Sequence, residues 1–199
     1  MQIEVIRHGA CADDAFLRGR TDSPLSDLGW RQMEAAVANL PRPEWIISSP
    51  LQRCAAFADQ FAAKTQSAFV TDCAWQERDF GLWDGLSLSQ LQHQEGSALA
   101  AYLAEPFVDQ IPQAEPLADF SQRVEQAWNE LCHRTETSVW LITHGGVQRS
   151  LLHSLLGIPL ERSFHLQLGY AARLSFVVTP TASGPFCQLQ AMVPFAGNA

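Results

Sequence analysis

Two histidines stand in the same local setting and are the residues best suited to chemistry. His8 closes the run Ile3-Glu4-Val5-Ile6-Arg7-His8-Gly9, and His144 follows Ser138-Val139-Trp140-Leu141-Ile142-Thr143, again with glycine next. Arg7 precedes the first histidine. Arg53 lies in Ser49-Pro50-Leu51-Gln52-Arg53-Cys54, and Glu77 in Trp75-Gln76-Glu77-Arg78-Asp79-Phe80-Gly81-Leu82-Trp83-Asp84-Gly85. Imidazoles beside guanidiniums suit either a metal or a phosphoryl group. A metal wants two or three His or carboxylate ligands at close spacing, and the chain has no His-x-His or His-x-x-x-His. Arginines would repel a cation, whereas they grip phosphoryl oxygens in bidentate fashion.

On the phosphoryl reading, one imidazole attacks phosphorus and forms a phosphohistidine. The other imidazole and the arginines neutralise charge on the equatorial oxygens. A carboxylic acid protonates the departing alkoxide and later helps water attack, and the scheme requires no metal or cofactor. Glu77 is the candidate acid, because aromatic walls desolvate a carboxyl group and raise its pKa. Asp79 is its rival, and Arg20 is a further candidate for phosphate. Each residue also has a plainer reading: a capped strand-end histidine, an arginine on a helix surface, an acidic loop pinned by Trp and Phe. His93, His133, His153 and His165 have no comparable setting and read as surface or packed residues.

These groups need elements to position them. The apolar run before His8 reads as a first strand, and an Arg-His pair at its carboxyl end faces the usual ligand site of an open α/β sheet. Gly9 lets the backbone approach a ligand or turn sharply. Residues 10–25 read as a loop, and Ser26 caps a helix from Asp27 to about Leu40 that ends before Pro41 and Pro43. Residues 44–48 form a second strand. Ser49 caps, and Pro50 opens, a helix to about Lys64, which places Arg53 in a first turn where the dipole opposes a cation and hints at a local anion. Ala68–Thr71 is a third strand.

Residues 87–103 read as one or two helices, and residues 87–116 as an insertion that covers the site and selects the substrate. A helix follows from Leu117 to His133, with Phe120, Val124, Ala127, Trp128 and Leu131 at core spacing. Ser138–Thr143 has the continuous apolar character of a strand buried in a parallel sheet. The helix after it, from about Val147 to Leu156, presents N–H groups and a favourable dipole to a phosphate, with Gly157 as its C-cap. Phe164–Leu168, Ala172–Val178 and Cys187–Val193 alternate enough to be strands. The expectation is one α/β domain over residues 1–199, a three-layer sandwich whose mostly parallel central sheet has an antiparallel edge strand and helices on both faces.

Composition limits the partners. The 199 residues are 47% hydrophobic with net charge −8, so a general electrostatic grip on nucleic acid is not expected and an anionic substrate must be held by local arginines. No run of eighteen apolar residues exists and the N-terminus lacks the pattern of a signal peptide, so the chain reads as cytoplasmic and free of the membrane. Cys11, Cys54, Cys73, Cys132 and Cys187 are odd in number and spread out, which suits reduced thiols. A homodimer is left open.

Taken together, Arg7-His8-Gly9, the Ser49–Cys54 block, the Glu77–Gly85 loop and Thr143-His144-Gly145-Gly146 resemble, in order, the signatures of the histidine phosphatase (phosphoglycerate mutase-like) superfamily. The resemblance implies that His8 is the nucleophile, Glu77 the proton donor and His144 a stabilising histidine. It also implies that Arg7 and Arg53 clamp the phosphate, with Gly145 at the substrate. The chain departs from the family at Ala10, where an acidic residue is usual, and its loop to Leu25 is shorter than in the mutases; Asp13 or Asp14 stands nearby. The acid loop, and Ala114-Glu115-Pro116-Leu117 ahead of Arg123-Val124, look like those of bacterial α-ribazole phosphatases. A phosphomonoester hydrolase acting on α-ribazole 5′-phosphate in cobalamin biosynthesis is therefore the leading expectation. A phosphoglycerate mutase, a broad sugar-phosphate phosphatase and a non-catalytic phospholigand-binding protein are the alternatives, and retention of His8 with Glu77 argues against the last.

Overall fold

A computed structural model describes residues 1–106 and 108–194. Six strands form one sheet in the order β3-β2-β4-β1-β5-β6. The strands are β1 (Gln2–Arg7), β2 (Trp45–Ser48), β3 (Ala68–Thr71), β4 (Ser138–Thr143), β5 (Arg173–Thr181) and β6 (Gly184–Val193). The first four are mutually parallel, and β5 and β6 join antiparallel beyond β1. Six helices connect them: α1 (Asp27–Val37), α2 (Gln52–Thr65), α3 (Leu88–Ala104), α4 (Leu117–Cys132), α5 (Gly145–Leu156) and α6 (Leu160–Ser163).

Side-chain alternation explains the layering. Ile3, Val5, Ile47, Val139 and Leu141 point to one face, where they meet Phe120, Val124 and Trp128 of α4 and Val147 and Leu151 of α5. Ile6, Ile46, Trp140 and Ile142 point to the other, against Met33 of α1 and Phe57 and Ala58 of α2. Strands covered on both faces need apolar residues at every position, which is why β4 reads as an unbroken run. Each such buried side chain contributes roughly 1.5–3 kcal/mol. A third cluster of Trp83, Leu91, Leu99, Tyr102 and Ile111 ties α3 to the loop that carries Glu77.

Most expected elements are present, with five local differences. α1 stops at Val37, ahead of the prolines, and α5 starts at Gly145. α3 is one helix with a break at Glu95, whose φ/ψ of −135°/32° is not helical. The expected strand at Phe164–Leu168 is instead the end of α6 and a turn, with its N–H groups bonded locally from His165 to Arg162 O and from Leu166 to Ser163 O. β1 already has β4 and β5 on its two sides, so this segment passes over the strand ends without pairing. Finally, α2 begins at Gln52, and Asp22 Oδ1 accepts from its N–H at 2.6 Å; Ser49 is occupied elsewhere. No helix among the described residues is long and apolar enough to cross a membrane. The five cysteines are free thiols.

Candidate active site

Register places the histidines. Arg7 of β1 is paired with Thr143 of the adjacent parallel β4, so the next residues, His8 and His144, leave the sheet side by side. Their rings lie 5.2 Å apart, edge to face. β2 flanks β4 on its other side with Ser48 opposite Ile142, which delivers Ser49 to the same end. Three strand ends thus set three polar side chains by backbone pairing alone.

His8 is 5% exposed and His144 fully buried. His8 Nδ1 lies 2.8 Å from Gly9 O; a carbonyl only accepts, so Nδ1 carries the proton and Nε2 keeps its lone pair. Arg53 Nε donates to His144 Nδ1 at 3.3 Å, which assigns the His144 proton to Nε2, and Nε2 donates to Ser49 Oγ at 2.8 Å. Burial, reinforced by Arg7 and Arg53, holds His8 well below its usual pKa. His144 is lowered in the same way, by burial first and then by Arg53 and His8. Both imidazoles are therefore neutral near pH 7.

Arg53 is fully buried, which corrects the helix-surface reading. Its guanidinium donates to the carbonyls of Arg18, Gly19 and Thr21 at 2.7 to 2.9 Å. Arg7 reaches across from β1, donating from one terminal nitrogen to Leu168 O at 2.5 Å, with its guanidinium carbon 4.7 Å from the Tyr170 ring. Its Nε is buried without a hydrogen-bond partner among the described residues. Gly145 leaves room for this: a Cβ there would sit 3.3 Å from the guanidinium carbon. Gly9, expected to let the backbone approach a ligand or turn sharply, serves close packing, since a Cβ would lie 2.3 Å from Gly29 O of α1.

Glu77 is half-buried and accepts from Gly146 N at 2.9 Å and from Arg78 N at 3.0 Å. One amide of the α5 N-terminus, expected to face a phosphate, is thus committed to the carboxylate. The loop around Glu77 is held by side chains. Arg123 of α4 donates to both oxygens of Glu115, at 3.0 and 2.8 Å, and to the carbonyls of Ala74 and Gln76. Glu115 Oε2 also accepts from Asp79 N at 3.2 Å. Asp84 accepts from the amides of Arg20 and Thr21 at 2.6 and 2.9 Å and from the Thr21 hydroxyl.

A cavity of about 240 Å³ opens beside these groups, lined by Arg7, Glu77, Gly145 and Gly146 at one side and by Phe80, Tyr102, Phe120, Arg149 and Phe164 around the rest. His8, Arg53 and His144 do not line it, and all three are buried. Of the rival candidates, Asp79 accepts from Gly81 N within its own turn, and Arg20 is exposed, 4.0 Å from Asp79. Asp13 pairs with Arg18, and Asp14 is exposed. His93, His133, His153 and His165 are all exposed. Cys11 Sγ lies 3.9 Å from His8 Nδ1, and burial raises its pKa. Among the described residues no group of three or more His, Cys, Asp or Glu could hold a metal ion. Sequence reasoning missed Tyr170, Ser49 as the partner of His144, Asp84 and Arg149. The first has no periodic signal, and the others show their partners only once the chain is folded.

Two histidines and two arginines at the carboxyl ends of a mixed, mostly parallel sheet, facing a loop carboxylate, define the phosphoglycerate mutase-like class of α/β proteins. The profile of the histidine phosphatase superfamily (branch 1) matches residues 3–190, and the chain belongs to that family. It is 27% identical over 187 residues to the probable phosphoglycerate mutase GpmB of Proteus mirabilis (strain HI4320), across 90% of this chain and 87% of the relative. The native structure of a mycobacterial glucosyl-3-phosphoglycerate phosphatase superposes with a TM-score of 0.82 at 24% identity over 99% of each chain. The α-ribazole phosphatase of Shigella flexneri does so with 0.83 at 21% identity, over 100% of this chain and 99% of its own. At these identities the structural matches speak to the fold.

Proposed function

We propose that the protein is a phosphomonoester hydrolase working through a phosphohistidine on His8, with α-ribazole 5′-phosphate as its substrate in cobalamin assembly. The observation that carries the reaction is the pair of facing, neutral imidazoles flanked by Arg7 and Arg53. The phosphoryl group enters between Arg7 and Glu77. The His8 Nε2 lone pair attacks phosphorus as the ester P–O bond breaks; Gly9 O holds the Nδ1 proton and fixes the ring. The unpartnered Arg7 Nε and the charge of Arg53 offset charge on the equatorial oxygens, and His144 joins them when its Nε2–H turns from Ser49 Oγ to a phosphoryl oxygen. Glu77 in its acid form gives a proton to the departing alkoxide. As carboxylate it then takes one from the water that attacks phosphorus and breaks the N–P bond.

The substrate assignment rests on the resemblance of the acid loop and on the aromatic walls Phe80, Tyr102, Phe120 and Phe164, which suit a flat heterocycle. Tyr102 and Pro106 bring residues 87–116 to the cavity, and this segment acts as the lid that selects substrate. A phosphoglycerate mutase is the second reading, favoured by the name of the relatives at 27–28% identity. The test compares kcat/KM for phosphate release from α-ribazole 5′-phosphate, 3-phosphoglycerate, fructose 2,6-bisphosphate and phosphohistidine, with a chelator present throughout. A preference of a hundredfold for α-ribazole 5′-phosphate, about 2.7 kcal/mol of transition-state discrimination, is the expected result. Isomerisation of phosphoglycerate that depends on a bisphosphorylated primer, without phosphate release, would overturn it in favour of the mutase.

A further inference from the structure

Three guanidiniums line the cavity, and their engagements differ. Arg7 belongs to the phosphoryl end. Arg78 is 4% exposed and committed on both sides, donating to Glu115 O at 2.7 Å and pairing with Asp109. Arg149 of α5 donates to a single backbone carbonyl, Ser163 O, and no carboxylate among the described residues forms an ion pair with it. Its guanidinium carbon stands 4.4 Å over the Phe164 ring, a contact that fixes the plane of the fork. A partly desolvated cation with no ion-pair partner among the described residues, in a wall otherwise built from Phe80, Tyr102, Phe120 and Leu160, leaves donors to be met by a ligand.

Position along the helix says which part of the ligand. Arg149 follows Gly145 by four residues, so both lie on one face of α5 about 6 Å apart along its axis. Gly145 abuts Arg7. Helical side chains lean toward the N-terminus, which brings the Arg149 head back toward the phosphoryl end. Burial lowers the Arg149 pKa first, and the smaller contributions of Arg7, which lowers it further, and Glu77, which opposes, fit this placement. An acceptor there stands a few bonds beyond the ester oxygen, on the alcohol that leaves.

We propose that Arg149 donates to an oxygen on the leaving alcohol and is thereby the residue that selects oxygen-bearing phosphomonoesters, sugar or hydroxy-acid phosphates, over bare alkyl esters. The proposal rests on the hydrolase reading and adds the class of alcohol. It is tested with two matched pairs, ribose 5-phosphate against cyclopentylmethyl phosphate and 3-phosphoglycerate against n-propyl phosphate, using wild type, R149M and R149K.

Wild type should prefer the oxygenated member of at least one pair by about tenfold in kcat/KM, the ratio a charge-assisted hydrogen bond supports. R149M should bring that preference to within about twofold, and R149K, which keeps the stem and charge but not the planar fork, should lie between. The pair that responds identifies the acceptor: a sugar oxygen or a carboxylate. An unselective wild type, or a preference that survives in R149M, overturns the proposal; should R149M not fold, an undiminished preference in R149K does the same. Failure of the hydrolase reading shows separately, as no phosphate release from p-nitrophenyl phosphate by wild type. In that event the two pairs are compared as equilibrium ligands by calorimetry, with the same tenfold criterion applied to Kd.

Discussion

The two halves of the site are built by different means. His8, His144 and Ser49 stand at the ends of β1, β4 and β2, and neighbouring backbone pairs fix their spacing. Glu77 stands on a loop whose shape depends on side chains, chiefly the Arg123–Glu115 pair and the bonds that Arg123 sends to Ala74 and Gln76. The proposed nucleophile, set by sheet register, tolerates changes around it, because no single side chain determines where it sits. The proposed acid, held by a salt-bridged brace, is exposed to each member of that brace. The nucleophile half is therefore expected to fail only through its own atoms, and the acid half through residues that never touch substrate.

The largest effect should come from His8→Ala. Phosphate release should fall to the blank and the acid-labile phosphoenzyme should vanish in quench labelling, while the melting temperature stays close to wild type. Turnover at the wild-type rate would remove His8 from the mechanism. Glu77→Gln comes next. It should slow a poor alkoxide leaving group by about a hundredfold or more and p-nitrophenyl phosphate far less, because p-nitrophenolate departs with little help from a proton. Equal slowing of both substrates would show that Glu77 is not the acid.

Glu115→Ala sharpens the contrast between the halves. The same bias against poor leaving groups should appear, at about tenfold, although Glu115 contacts no substrate in the mechanism. A uniform loss across leaving groups would mean that the brace supports the fold in general and not the acid. Ser49→Ala removes the acceptor for the Nε2 proton of a fully buried imidazole, a loss of about 1–3 kcal/mol. The expected reduction in kcat is about tenfold, independent of leaving group, and a leaving-group bias would place Ser49 with the acid half.

The pH dependence is the gentlest probe. Both histidines titrate below the ordinary 6.5 in the folded protein, so on the proposed mechanism His8 keeps its lone pair into acid and the acid limb of kcat/KM should lie below that value. The stability sign follows from linkage. Below pH 6.5 the unfolded chain takes up protons that the folded chain refuses, so stability falls with acid, by up to about 1.4 kcal/mol per pH unit for each histidine, and is unaffected by them above that value. Denaturant titrations between pH 7 and 5 should show the slope, and H8A should roughly halve the histidine contribution.

The same contrast explains what could be read from the chain. β3 and β4 were legible to the residue, since β-branched and apolar runs between turn residues have few other uses. The pairing of His8 with His144 was legible as two repeats of strand, histidine and glycine. The burial of Arg53 was not, because its partners are carbonyls of Arg18, Gly19 and Thr21, which side-chain identity does not announce. Ser49 looks like a helix cap by position, and only the arrival of β4 alongside β2 turns it toward His144. Phe164–Leu168 alternates like a strand, yet no sheet edge was open to it beside β1.

Asp84 gathers the amides of Arg20 and Thr21, and the carbonyls of that same segment hold Arg53. The loop of the proposed acid Glu77 and the proposed phosphate clamp at Arg53 are thus a single interlocked unit, though more than twenty residues separate them in the chain. For anyone recombining parts among relatives, residues 77–85 and 18–21 should travel together. A chimera that takes one from a different parent inherits a clamp shaped for another loop.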